Sequence, residues 1–255
     1  MKYLNNCITL ICNIFSTLVL CLSLSAPAVA EMLLADDFSG TSLAPYWTIQ
    51  RGYADVAGGY VALHGSTVGR DANIQTAVGN PDWADYHIST HFIADGGGDN
   101  WYNAIVYFRM QELDVGSWAD GHYYGVIITT PLWPVPAEWI LYKMDGGSGS
   151  ILKLAGDIFD PSVPINDRDN VLDIWAVGNQ FSVAINGYSL TSSPVVDNSD
   201  PYLYGGIGLV SIWESTTRYD YVNVTAVPEP GTYAMLLAGL GVIGFMAHRR
   251  KESAI

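Results

Sequence analysis

Cysteine is missing from the stretch between Glu31 and Val227; the chain's three, Cys7, Cys12 and Cys21, all precede it. Disulfides, zinc–thiolate sites and cysteine nucleophiles are therefore excluded from that stretch. Charge is scarce as well, with Asp, Glu, Lys and Arg making up 14% of the chain against about 25% in an average protein. Positive charge is scarcer still. Residues 31–228 hold 7 basic against 23 acidic side chains, a net of −16. A surface this acidic repels phosphate backbones, so nucleic acid is not an expected partner. Also missing are internal repeats, low-complexity segments, internal linkers and any apolar pattern that keeps a helical period for three turns. What remains is rich in Gly (26), Tyr (16) and Trp (8). A surface made of amides, hydroxyls and aromatic rings is a common way of meeting sugars.

The two ends read as processing segments. Lys2 precedes a mostly apolar run over residues 8–24, and Ala28-Val29-Ala30 offers the small side chains that a signal peptidase reads. Residues 1–30 are thus a secretory signal peptide. Leu20 before Cys21 and Ile11 before Cys12 are not the small residues that lipid attachment requires. At the other end an apolar run of fifteen residues, from Tyr233 to Ala247, precedes Arg249, Arg250 and Lys251. It would span roughly 22 Å as a helix, short of a hydrocarbon core of about 30 Å. One reading is a weak membrane anchor with its positive residues in the cytoplasm. The other rests on order: Pro228-Glu229-Pro230, a short Gly-rich apolar helix, then the Arg249-Arg250 cluster. Residues 228–255 closely resemble the PEP-CTERM sorting signal of exported bacterial proteins. The resemblance implies transient inner-membrane anchoring by a short transmembrane helix, processing by an exosortase, and delivery to the cell surface or extracellular polysaccharide.

Residues 31–227 read as one nearly all-β domain. Short runs of alternating β-branched and aromatic residues recur between Gly, Pro, Asn and Asp clusters. Strands are expected at 33–38, 59–64, 84–94, 101–110, 121–130, 138–145, 150–156, 170–177, 180–186, 204–213 and 217–226. Gly178-Asn179 and Asn186-Gly187 predict tight antiparallel hairpins, because Gly and Asn tolerate positive φ. Several strings, in order, look like the concanavalin A-like lectin/glucanase superfamily, including its LamG-like members. They are Ala35-Asp36-Asp37-Phe38-Ser39-Gly40, Val177-Gly178-Asn179-Gln180-Phe181, Ile185-Asn186-Gly187, Gly206-Ile207-Gly208-Leu209 and Tyr219-Asp220-Tyr221-Val222-Asn223-Val224. The resemblance implies a jelly-roll β-sandwich of two antiparallel sheets whose concave face or rim often holds carbohydrate. Function does not follow from the fold, which carries enzymes, lectins and structural modules alike.

Glycoside hydrolysis needs two carboxyls flanking the scissile bond. Glucanases of this superfamily place them on a Glu-x-Asp-x-x-Glu strand, whose nearest counterpart is Glu112-Leu113-Asp114-Val115-Gly116-Ser117. Ser117 replaces the last acid, so no catalytic residue is assigned. His87 and His91 share a strand face but lack a third ligand nearby, and read as polar positions on the solvent side. In the related glucanases a structural calcium joins the N-terminal strand, a glycine carbonyl and an aspartate of the last strand. The matching positions are Asp37, Gly59 and Asp220, and hard oxygen ligands suit calcium. The alternative is that the two aspartates merely cap strand ends.

For a ligand surface, strand parity puts Asn103, Tyr107 and Arg109 on one face, Trp139 and Lys143 on another, and Asp173 with Trp175 on a third. If these line one concave sheet, the rings stack on sugars and Arg109 and Lys143 hydrogen-bond hydroxyls. Tyr124 joins them by resemblance to sugar-processing members of the superfamily. The opposite parity would send Trp139 and Trp175 into the core. Trp101, Trp118 and Trp133, beside loop signals, form a second candidate patch at the rim. Three functions stay open: a non-enzymatic module that binds extracellular polysaccharide, a glycoside-active enzyme built around Arg109, Tyr124 and Lys143, and a ligand-free matrix scaffold.

Overall fold

In the computed structural model the described residues are 30–65, 71–95, 102–112, 121–130, 138–155, 169–212, 215–228, 239–241 and 243–244. Sixteen strands follow in chain order: β1 (Met32–Asp36), β2 (Thr48–Arg51), β3 (Tyr53–Ala57), β4 (Tyr60–His64), β5 (Asp71–Thr76), β6 (Tyr86–Asp95), β7 (Tyr102–Met110) and β8 (His122–Thr130). Then come β9 (Glu138–Asp145), β10 (Ser148–Ala155), β11 (Asp169–Val177), β12 (Gln180–Ile185), β13 (Tyr188–Ser189), β14 (Val195–Val196), β15 (Gly206–Ile212) and β16 (Thr216–Ala226). Residues 239–241 and 243–244 are helical. No helix among the described residues is long and apolar enough to cross a membrane.

The strands form two antiparallel sheets. A nine-stranded sheet runs β13-β12-β11-β6-β16-β4-β3, with β1 added on β16 and β14 on β12; a seven-stranded sheet runs β10-β9-β8-β7-β15-β5-β2. Strict alternation makes the sandwich. In β6, Tyr86, Ile88, Thr90, Phe92 and Ala94 are buried while the residues between them are half-buried, and β11 follows the same pattern. Across from them Ala104, Val106, Phe108, Val126, Ile128, Leu141 and Leu209 supply the second wall of one continuous core. Burying such side chains is the main driving force of the fold, at about 1.5–3 kcal/mol each.

Two hairpins form where the turn chemistry places them. Gly178 (φ 53°) joins β11 to β12, and Asn186 (φ 49°) with Gly187 (φ 78°) joins β12 to β13. Five strands lie outside the sequence-based expectations: β2, β3, β5, β13 and β14. The instructive one is β5, Asp-Ala-Asn-Ile-Gln-Thr. Ala72 and Ile74 face the core, whereas Asp71, Asn73 and Gln75 bind one another instead of water.

Two irregularities re-aim the chain. The β15–β7 register shifts between Gly206 and Ile207, opposite Arg109 in the left-handed region (φ 54°). A Cβ on Gly206 would lie 2.0 Å from the carbonyl oxygen of Thr76, so only glycine fits there. The second shift lies in β16 between Tyr219 and Tyr221.

Candidate functional site

The seven-stranded sheet has a second face, turned away from the core, and that face is aromatic at one end and amide-lined at the other. Tyr107 and Tyr123 stack with ring centroids 4.1 Å apart, and Tyr142 meets Tyr123 edge-on at 6.2 Å. Glycines make room for the rings. A Cβ on Gly125 would meet the Tyr142 ring at 2.4 Å, and one on Gly208 would crowd Tyr107 and Met110. Ile105, Met110, Met144 and Val210 complete this cluster. Burial and the neighbouring phenols and Asp71 push the Tyr107 hydroxyl far above its ordinary pKa, so it stays a neutral donor.

Beside the tyrosines runs the polar ladder of β5. Arg51 holds Asp71 with Nε at 2.9 Å and Nη2 at 2.6 Å; Asn73 Nδ2 donates to Asp71 at 3.2 Å, and Gln75 Nε2 donates to Asn73 Oδ1 at 3.1 Å. Asn103 sits at the far side of the tyrosine end. Its Oδ1 accepts from Thr129 Oγ1 at 3.0 Å, while its Nδ2 is buried with no hydrogen-bond partner among the described residues. An unpaired buried amide N–H costs about 1–3 kcal/mol. Tyr107, Tyr123, Asn73 and Gln75 are buried too, and Ile127 and Ile140 along the margin are half-buried.

The residues expected from parity to share a ligand face are dispersed. Tyr107 lies on the tyrosine face with Asn103. Arg109 does not accompany them, because its bulge turns the guanidinium to the core side. There Nη1 donates to the Tyr202 carbonyl (3.2 Å), Nη2 donates to Asp85 (3.3 Å) and the Ala176 carbonyl (3.1 Å), and the group lies 5.5 Å from the Tyr86 ring. Trp139 packs in the core at 2% exposure. Tyr124 and Lys143 point the same way and close one end of the sandwich. Tyr124 donates to Asp197 Oδ2 at 2.6 Å, and Lys143 Nζ donates to the carbonyls of Ser199 (2.7 Å) and Asp200 (2.6 Å), with Asp197 at 3.3 Å. Arg109, Tyr124 and Lys143 thus share a region, but as clamps on the 197–205 segment.

Trp175 lies on the outer face of the nine-stranded sheet, half-buried and stacked on His87 at 4.4 Å, with Asp173 2.9 Å from His87 Nε2. His91 is held between Asp220 (2.8 Å) and Asp169 (2.6 Å). Trp101, Trp118 and Trp133 lie outside the described residues, as do Asp114 and Ser117. Glu112 is paired with His122 Nδ1 at 2.5 Å, and Asp145 lies 3.3 Å from His122 Nε2.

By strand register the three positions expected to hold calcium fall beside the β16 bulge. On one edge of β16, β4 pairs up to Val61↔Tyr219 and β1 pairs from Asp36↔Val222, so Asp37 and Gly59 flank Asp220 along the chain direction. Asp37 is exposed, and the backbone and side chain of Ser39 hold its pKa below the usual carboxylate value. Two carboxylates and a glycine carbonyl are a hard-oxygen set of the kind calcium takes, although His91 engages Asp220. Among the described residues no group of three His, Cys, Asp or Glu side chains is placed to hold a metal.

Residues 226–251 match the PEP-CTERM protein-sorting motif. The chain carries an exosortase-type sorting signal. That match implies an exported protein processed by an exosortase and sorted to the cell surface. No curated protein matches the sequence. Solved structures do. A protein of unknown function with a galectin-like fold from Bacillus subtilis superposes with TM-score 0.57 at 13% identity, covering 76% of this chain and 96% of its own. The exoplasmic/lumenal domain of VIP36, in a Ca2+/Man-bound form, gives 0.55 at 15% identity over 78% and 93%. An endo-β-1,3-glucanase from Pyrococcus furiosus gives 0.52 at 9% identity over 77% and 94%. At these identities the likeness establishes the fold, a concanavalin A-like β-sandwich, and nothing of the chemistry.

Proposed function

We propose that this exported protein is a non-catalytic carbohydrate-binding module that associates with extracellular polysaccharide, and that the tyrosine face of its seven-stranded sheet meets the glycan. One observation carries the reading: Asn103 Nδ2, buried and unpaired, lies on the face that also holds three clustered tyrosines and the Asn73–Gln75 amide ladder. Phenol rings suit sugar C–H groups and amides suit hydroxyls, and the three rings are 8% exposed or less. Among the described side chains of this face Asp71 is the one carboxylate, and Arg51 holds it. A glycosidase needs two acids roughly 5–9.5 Å apart across the bond, so the described face favours binding over hydrolysis. The burial of Tyr107 and Tyr123 favours a second reading, in which the sandwich is a ligand-free structural block of the matrix.

A glycan array incubated with the full chain, with reducing sugar assayed in the same wells, separates the three functions. The expected result is binding without release. Release of sugar would make the protein an enzyme, and neither binding nor release would leave the scaffold reading. A structural calcium held by Asp37, Gly59 and Asp220 is part of the proposal. The signal peptidase that removes residues 1–30 is its remaining processing partner.

A further inference from the structure

The outer face of the nine-stranded sheet has a recess of its own, and its cause is register. Tyr53 pairs with His64, His64 with Thr216 and Thr216 with Asp95, a row of four across β3, β4, β16 and β6. In the next row on the same face Asp55 pairs with Ala62 and Ala62 with Arg218. The methyl of Ala62 is far shorter than the side chains around it. The grid therefore has a gap, an open depression of about 310 Å³ walled by Asp55, Tyr60, His64, Asp95 and Arg218.

Each polar wall is held by one neighbour and keeps a second position for a ligand. Asp55 Oδ1 accepts from the Tyr53 hydroxyl at 2.9 Å, which leaves Oδ2. His64 Nδ1 lies 3.1 Å from Thr216 Oγ1, which leaves Nε2. Arg218 Nε donates to Asp95 at 2.7 Å, and the guanidinium lies 5.3 Å from the centre of the Tyr60 ring, so its terminal nitrogens are fixed but not consumed. Tyr53, 59% exposed, stands at the rim with its ring 5.6 Å from that of His64.

We propose that this recess is a subsite for a single neutral sugar ring. Methyl and phenol surfaces at floor and wall suit the C–H faces of a pyranose, while fixed carboxylate, imidazole and guanidinium groups around them suit its hydroxyls. The volume is at the small end of ligand cavities, which run from about 300 to 1,000 Å³; it takes one ring, not an oligosaccharide. Two carboxylates against one guanidinium exclude uronic acids and sulfated sugars by charge. The site shares its ligand class with the carbohydrate-binding reading above and none of its residues. With both faces occupied, one sandwich would bridge two glycans.

The test titrates the full chain with D-glucose, D-galactose, D-mannose and D-glucuronate, using saturation-transfer NMR and calorimetry. The same titrations are run on Ala62→Gln, which fills the recess, on Asp55→Ala, and on Asn73→Ala from the tyrosine face. The expected result is about millimolar binding of a neutral sugar at the recess, weakened roughly tenfold by Ala62→Gln or Asp55→Ala and still present in Asn73→Ala, which acts on the tyrosine face alone. Melting temperatures of the variants identify any that fail to fold, and Asp55 on the exposed edge strand keeps the test open if Ala62→Gln does. The proposal is overturned if no neutral sugar binds, if both recess variants bind like wild type, if glucuronate binds better, or if Asn73→Ala alone removes binding. Array binding that survives while the recess fails would refute this subsite and leave the tyrosine face standing.

Discussion

Asp197 joins two parts of the chain that are distant in sequence. Its carboxylate accepts from Tyr124 and faces the Lys143 ammonium, and its Oδ1 accepts from the Ser199 backbone N–H at 2.7 Å. Burial alone would raise the pKa of Asp197, yet the Tyr124 hydroxyl, the Ser199 N–H and Lys143 outweigh it and the value is lowered. A carboxylate whose folded pKa is depressed stabilises above the unfolded value of about 3.9 and loses that stabilisation as pH falls through its folded value. Melting curves should therefore show an acid limb below about pH 4. Asp197→Asn should melt lower at neutral pH and show a flatter acid limb; an unchanged limb would mean that Asp197 does not clamp the segment. Residue type alone could not reveal this. Lys143 and Arg109 read as hydroxyl donors from sequence, but a lysine on an inward parity can still be satisfied by backbone carbonyls, and the bulge that turns Arg109 inward depends on Gly206 across the ladder.

Among the elements, the legible ones are those whose alternation sorts apolar from polar. β6, β11 and β16 announce themselves in this way, and the Asn186-Gly187 turn fixes its hairpin by local chemistry. β5 was illegible because Asp71, Asn73 and Gln75 look like loop residues until Arg51 arrives from β2 to complete their ladder. The tyrosine face was half legible: parity joined Asn103 to Tyr107, but Tyr123 and Tyr142 enter only through the β7–β8–β9 register. The β16 bulge is an element-scale device of another kind, a junction where β1 and β4 meet one strand. If calcium braces it, adding calcium to chelator-treated protein at about 100 times its dissociation constant adds about 2.7 kcal/mol. The melting temperature should then rise by roughly 5–10 °C, and Asp220→Asn should abolish the rise. An unchanged melting temperature in the wild type would remove calcium from the account.

For the whole molecule, the sorting motif and the proposed binding faces lie in separate segments. The terminal motif over 226–251 implies sorting to the cell surface, and the sandwich is acidic and thiol-free, with the proposed sugar sites on its two sheet faces. A net charge of −16 over 31–228 turns such a domain away from polyanions, which is why the proposed partner is a neutral polysaccharide. The tyrosine face is tested most directly by NMR on the full chain with labelled tyrosine rings, titrated with an oligosaccharide that the array selects. The ring signals of Tyr107, Tyr123 and Tyr142 should shift together and saturate with the binding curve. Saturated binding that leaves those three signals unmoved would contradict the proposed glycan contact.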